Sequence, residues 1–90
     1  EPEQLVSSII YPNPTRMSFA VSMTLESPAN NLTISITDVN GRIIKKENYG
    51  YVTAGNLTYY FNTGKLSNGI YNIILTIDGK SKVEKLVIYN

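Results

Sequence analysis

Between Tyr71 and Ile77, apolar residues occupy every second position: Tyr71, Ile73, Leu75 and Ile77. Successive side chains of an extended chain point to opposite faces, so this period buries one face of a β-strand and does not fit a helix. The run follows directly on Asn68-Gly69. Glycine takes positive φ without the clash between Cβ and carbonyl that other residues meet, and the pair marks a turn. Ile70 and Ile74 fall on the other parity, so the strand is expected to be covered on much of both faces and to lie inside a sheet. No segment shows a helical period, and there is no internal repeat or low-complexity stretch. Such a chain has only strands to build with.

The rest of the sequence supplies them. Leu5 to Ile10 reads as a first edge strand, stopped at Tyr11-Pro12-Asn13-Pro14. Two prolines one residue apart remove two backbone donors, so a ladder cannot continue through them, and each pushes its predecessor into extended geometry. The expectation is a stiff crossing over one end of the fold, with Tyr11 as its anchor and Asn13 holding the bend. Phe19, Val21, Met23 and Leu25 alternate with Ser18, Ala20, Ser22 and Thr24, as do Leu32, Ile34 and Ile36 with Thr33, Ser35 and Thr37. Both are half-buried strands. Asp38-Val39-Asn40-Gly41 closes the second; Asn-Gly predicts a type I′ hairpin. The return strand carries Ile43 and Ile44 and becomes solvated through Lys45, Lys46 and Glu47, charges that discourage edge pairing. A glycine- and tyrosine-rich stretch from Asn48 to Gly55 reads as a long connection, under which Tyr49, Tyr51 and Tyr60 are expected to pack. Leu57, Tyr59 and Phe61 form one face of another strand, followed by the turn Thr63-Gly64-Lys65. Asp78-Gly79 marks a second tight hairpin before a last strand from about Ser81 to Tyr89.

That last strand has no cleanly apolar face: Lys82, Glu84, Leu86 and Ile88 share one parity, and Val83, Lys85, Val87 and Tyr89 the other. A bulge near Glu84 or Lys85 would reconcile its charged first half with its apolar second half; otherwise its end is buried on both faces. Taken together, the pattern predicts an all-β fold, a seven-stranded antiparallel immunoglobulin-like β-sandwich with Greek-key topology, in one domain over residues 1–90. Residues 1–8 would be linker or first edge strand. In such sandwiches a tyrosine early in a central strand packs its ring in the core and bonds its hydroxyl to backbone a few residues upstream. Tyr71 is placed for that corner, with Leu66 plugging the core before the turn.

Composition removes most chemistries. There is no cysteine and no histidine, hence no disulfide, no thiolate nucleophile, no sulfur or imidazole metal ligand, and no imidazole base for a serine. Eight Lys and Arg against seven Asp and Glu leave a net charge of +1, with no basic excess to attract nucleic acid and no polybasic block for anionic lipid. No apolar run is long enough to span a bilayer. The carboxylates are scattered without the close spacing of a calcium loop; Asp38 would be the first ligand to test, although Asp38 and Asp78 both sit where aspartate bonds nearby turn backbone. Asn31-Leu32-Thr33 and Asn56-Leu57-Thr58 fit the N-glycosylation pattern but also sit at strand starts, where asparagine serves turns. Tyr49, Tyr51 and Tyr60 offer an alternative use as an exposed platform for sugars. The start at Glu1, without methionine or leader, is expected of a domain cut from a longer protein.

With Tyr11-Pro12-Asn13-Pro14, the hairpin from Asp38 to Gly41, Leu66-x-x-Gly69-x-Tyr71 and the terminal Lys85-Leu86-Val87-Ile88 laid out, the chain resembles the type A C-terminal sorting domain of the Bacteroidetes type IX secretion system, over about residues 9 to 90. The order and spacing of these motifs carry the resemblance; each alone occurs in many sandwiches. The resemblance implies a non-catalytic tail, without cofactor, of a larger secreted cargo protein. The cargo would reach the periplasm by an ordinary signal peptide, and the outer-membrane translocon would recognise the folded tail. The cargo would end at the cell surface or outside the cell, in some cases after sortase-like components replace the tail with a surface anchor. By position, Gly69, Tyr71, Lys85 and the final strand through Leu86, Val87 and Ile88 would form or support the signal. Tyr11, Pro12, Asn13 and Pro14 would open the domain, with cleavage upstream. The ending Tyr89-Asn90 departs from members that finish on a basic residue. The final strand is expected to dock by strand addition, with Lys80, Lys82 and Lys85 setting its register. The alternative is an immunoglobulin-like accessory module for carbohydrate binding or adhesion in a secreted enzyme.

Overall fold

Strands form where the alternation places them: β1 (Leu5–Tyr11), β2 (Ser18–Leu25), β3 (Ala29–Thr37), β4 (Ile43–Val52), β5 (Gly55–Asn62), β6 (Gly69–Ile77) and β7 (Lys80–Ile88). The computed structural model describes residues 4–64 and 66–89. Part of the expected linker, the lysine of the Thr63-Gly64-Lys65 turn and the terminal Asn90 lie outside the described residues. All strand pairing is antiparallel, in a three-stranded sheet ordered β1-β2-β5 and a four-stranded sheet ordered β4-β3-β6-β7. The chain changes sheet after β2, β4 and β5, which makes the Greek key of an immunoglobulin-like sandwich. Among the described residues, no helix is long and apolar enough to cross a membrane.

The inner rows meet as the period requires. Val21 and Met23 of β2, Leu32 and Ile34 of β3, Ile73 and Leu75 of β6, and Leu86 and Ile88 of β7 are all buried. Full burial of such a side chain contributes about 1.5–3 kcal/mol. β6 lies between β3 and β7, the interior position expected of it. Its outer face is half-buried: Asn72, Ile74 and Thr76 are partly covered, and Ile70 is 46% exposed. The strand covered on both faces is β3, whose outward Thr33, Ser35 and Thr37 are buried. Short side chains in the middle of a sheet, flanked by strands on both sides, lose their solvent to longer neighbours.

Three local expectations are corrected. The β3–β4 connection is no two-residue type I′ turn: Gly41 has φ 85°, but Asn40 does not have positive φ. Val39, Asn40 and Gly41 instead form a three-residue loop whose ends pair through Asp38 N–H and the Arg42 carbonyl at 3.0 Å, the arrangement in which glycine takes the left-handed position after a type I turn. The β6–β7 turn does have positive φ at both Asp78 (47°) and Gly79 (86°). The long connection after Asn48 does not exist, because β4 runs on to Val52 past a register shift near Gly50 (φ 68°). Finally, β7 contains no bulge; it pairs with β6 in unbroken register from Lys80 to Ile88. Lys82 and Glu84 share the inward parity with Leu86 and Ile88; Lys82 is tolerated because the sandwich opens beside it, and Glu84 because Ser8 and Lys82 hold its carboxylate.

Candidate recognition edge

β7 is the outer strand of its sheet, so every second residue aims its N–H and C=O away from β6. The outward set is fixed by observed bonds. Asn13 donates its Nδ2 to the Lys85 carbonyl at 2.8 Å, and its Oδ1 accepts from Val87 N–H at 3.0 Å. Thr15 N–H donates to the Val87 carbonyl at 2.8 Å, and Tyr89 N–H donates to the Thr15 carbonyl at 2.8 Å. The side-chain amide of Asn13 thus imitates one residue of a neighbouring strand, and Thr15 continues it as a parallel bridge to Ile88. The sequence marks this segment as a stiff crossing, and the peptide bonds before Pro12 and Pro14 are both cis. Asn13 does not hold its own bend. It reaches the far end of the chain, and with Thr15 it seals the second half of the β7 edge.

Tyr71 lies beside this seal. Its hydroxyl donates to the Ser67 carbonyl at 2.7 Å, its ring is buried, and Leu66 packs against the core. The corner reading therefore holds. β6–β7 pairing sets Tyr71 opposite Leu86 and Gly69 opposite Ile88. Gly69 has φ 151°, which disfavours a side chain there. Asn13, Gly69, Tyr71 and the run Lys85, Leu86, Val87 and Ile88 are consequently one assembly. Leu86 and Ile88 point into the core, whereas Lys85 is exposed on the outer face. Tyr11 ends β1 opposite Ala20 and is 45% exposed. Pro12 and Pro14 are exposed beside it.

Asp38 and Gly41 stand apart, with local bonds only. The Asp38 carboxylate accepts from Asn40 N–H and Arg42 N–H, both at 2.9 Å, and pairs with the Arg42 guanidinium at 3.2 Å. These contacts, the Arg42 amide foremost, hold its pKa below the usual carboxylate range. Its role is to organise the hairpin. The tyrosines do not form a platform either. Tyr49 packs on Tyr59 with ring centroids 4.2 Å apart, and burial pushes both phenols' pKa up. Tyr51 and Tyr60 are exposed, contrary to expectation, and belong to different sheets.

Sequence reasoning missed how the first strand meets the last. Gln4 Nε2 donates to the Asp78 carboxylate at 2.9 Å and to the Pro28 carbonyl at 3.0 Å. Asp78 also accepts from Asn31 N–H at 2.9 Å; these bonds, Gln4 first, lower its pKa. Further along, the Ser8 hydroxyl donates to Glu84, which pairs with Lys82 at 3.5 Å. Thr15 is wholly buried and was also missed, since two prolines erase the alternation that would have shown it.

Residues 9–89 match the model of the secretion system C-terminal sorting domain family. The chain belongs to that family. Sorting domains of this family are secretion signals of the type IX system, and they direct export toward the cell surface or the extracellular space. The fold is similar to part of dimeric latent PorU from Porphyromonas gingivalis, with TM-score 0.77 and 18% identity over 98% of this chain and 9% of that one. It is also similar to part of PorZ, a surface component of the type-IX secretion system of the same organism, with TM-score 0.62 and 18% identity over 93% of this chain and 12% of that one. The sorting domain thus spans about a tenth of either protein. FlgD from P. aeruginosa shares the fold more loosely, with TM-score 0.50 and 17% identity over 96% and 77% of the two chains. Among curated proteins, none matches.

Proposed function

We propose that this sorting domain is the non-catalytic tail of a larger exported cargo and acts by presenting the β7 edge, in its sealed and folded form, to the outer-membrane type IX translocon. The observation that supports this is the meeting of Asn13 with Lys85 and Val87, which joins two widely separated motifs of the family resemblance into one surface feature. The role of Gly69 and Tyr71 is to hold β6 in register behind that edge. The cargo precedes the domain in the same precursor and passes through the periplasm; sortase-like components act on the junction where the tail is replaced by a surface anchor. No step calls for a nucleophile or a cofactor from this chain.

The test is export of a periplasmic reporter fused ahead of residues 1–90, in a Bacteroidetes host with and without a working translocon. Translocon-dependent surface or medium localisation is expected. Removal of residues 82–90 should abolish it. Periplasmic retention of a well-folded fusion in both hosts would sink the reading.

A further inference from the structure

The seal on β7 stops at Lys85, and what lies before it is open. The strand is regular, so Ser81 and Val83 share the outward backbone direction that Lys85 and Val87 show through their bonds to Asn13 and Thr15. Among the described residues, nothing pairs with the outward N–H and C=O groups of Ser81 and Val83 or with the Lys85 N–H. Beside this stretch the two sheets part. β1 and β7 are tied at Ser8 and Glu84, and toward Gln4 and Lys80 they diverge around a cleft of about 320 Å³. Leu5, Leu75 and Ile77 supply its apolar lining, and Lys80 and Lys82 its charge.

We propose that the Ser81–Lys85 edge and this cleft take an extended acidic segment of a protein partner as an added strand. It rests on the sorting reading for the partner's place in export, but not for the partner's chemistry. Strand addition needs a row of unpaired backbone groups for affinity and pockets for alternate side chains for specificity; both are present. An added strand directs every second side chain into the cleft, where an apolar residue meets Leu5, Leu75 and Ile77. The charge selects the rest. Residues 80–85 carry three lysines and one glutamate, and that glutamate is already held by Ser8 and Lys82. A basic strand would set cations against Lys80 and Lys82 in a narrowing, partly desolvated gap; a strand with acids two residues from its apolar residue, on the same face, pairs them. The Asn13 seal fixes the register by ending the open edge at Lys85.

The experiment tethers a probe strand, Thr-Glu-Thr-Val-Thr-Asp, whose valine and two acids share one face, to the N-terminus of residues 1–90 through a flexible glycine-serine linker. Gln4 lines the cleft, so a linker a few residues longer than the probe reaches it at an effective concentration in about the millimolar range. Amide hydrogen exchange is read residue by residue. The acidic probe should slow exchange at Val83 and Lys85 by at least about tenfold, a change of about 1.4 kcal/mol. A probe with lysine at both acidic positions should not. Lys82→Glu together with Lys80→Glu should exchange the two probes' behaviour. No slowing by the acidic probe, or equal slowing by both, overturns the proposal. So does concentration-dependent protection of Val83 in the untethered domain, which would mean that the edge pairs with a copy of itself. Export of the reporter is scored separately. An exported domain without this protection leaves sorting intact and removes the added strand, and protection without export does the reverse.

Discussion

Replacing Asn13 by alanine removes both halves of the strand-like bridge to β7 while leaving the Thr15 backbone bonds available. The two bonds lost are Nδ2 to the Lys85 carbonyl at 2.8 Å and Val87 N–H to Oδ1 at 3.0 Å. A typical hydrogen bond is worth about 0.5–1.5 kcal/mol net. Asn13 is exposed, so water can reach the partners left behind and the sum should stay near about 1–2 kcal/mol. In a domain of this size each kcal/mol moves Tm by about 4–8 °C, so the midpoint should fall by roughly 4–16 °C. Thermal denaturation followed by circular dichroism measures the sum, and amide exchange locates it. Val87 N–H, which faces Asn13, should lose protection, whereas Leu86 N–H, which faces β6, should keep it. Asn13→Asp sharpens the test. Its carboxylate still accepts from Val87 but sets negative charge against the Lys85 carbonyl. Protonation below about pH 4 turns it into a donor, so this variant should recover stability, relative to the parent, on acidification. An Asn13→Ala protein with unchanged midpoint and unchanged Val87 exchange would refute the reasoning and leave the seal to Thr15 alone.

Other perturbations address the supports of the edge. Tyr71→Phe keeps the ring and loses the bond to the Ser67 carbonyl, which should cost about 1–2 kcal/mol in urea denaturation without changing the slope. Gly69→Val should cost about 1–3 kcal/mol through backbone strain alone, because a Cβ there meets nothing within 4 Å at φ +151°; Gly69→Ala should suffer as well, and a neutral alanine would show that φ is not the cause. Asp78 has a lowered pKa, so its contribution is present above the unfolded carboxyl value of about 3.9 and is lost as pH falls through the lower folded value. The stability gap between the parent and Asp78→Asn should therefore be widest near neutrality and close under acid, and a gap independent of pH would count against the bonds from Gln4 and Asn31.

Much of this fold is legible in the chain because its strands carry their burial in their parity. β2, β3, β5 and β6 were all recognisable from alternation, and the Tyr71 corner followed from a tyrosine two residues after a turn glycine. What was not legible depends on neighbours. The burial of Thr33, Ser35 and Thr37 comes from the strands beside β3, and nothing in a Thr-Ser-Thr row announces it. The inward Lys82 and Glu84 looked like a register fault because parity alone cannot show that the two sheets diverge beside Lys82 or that Ser8 bonds Glu84. Tyr49 and Tyr51 had no readable parity, since a shift near Gly50 moves the pattern within one strand. For the recognition edge, the participating motifs were visible but their contact was not. Asn13 and Lys85 lie 72 residues apart, and an asparagine between prolines gives only a local turn signal.

That separation also says what a partner reading β7 would sense. The edge between Lys85 and Tyr89 takes its form from Asn13 and Thr15, its backing from β6, and its placement beside β1 from Ser8 and Gln4. Apart from the β6–β7 hairpin, each of these contacts joins segments distant in sequence, so none of them survives in a chain that has made only its local hairpins. An unfolded tail contains the same Lys85-Leu86-Val87-Ile88 run, but it lacks the sealed limit at Lys85 and has no cleft beside Lys82. On the added-strand proposal, a partner that pairs in one register would therefore distinguish the finished sandwich from an unfolded chain of the same sequence.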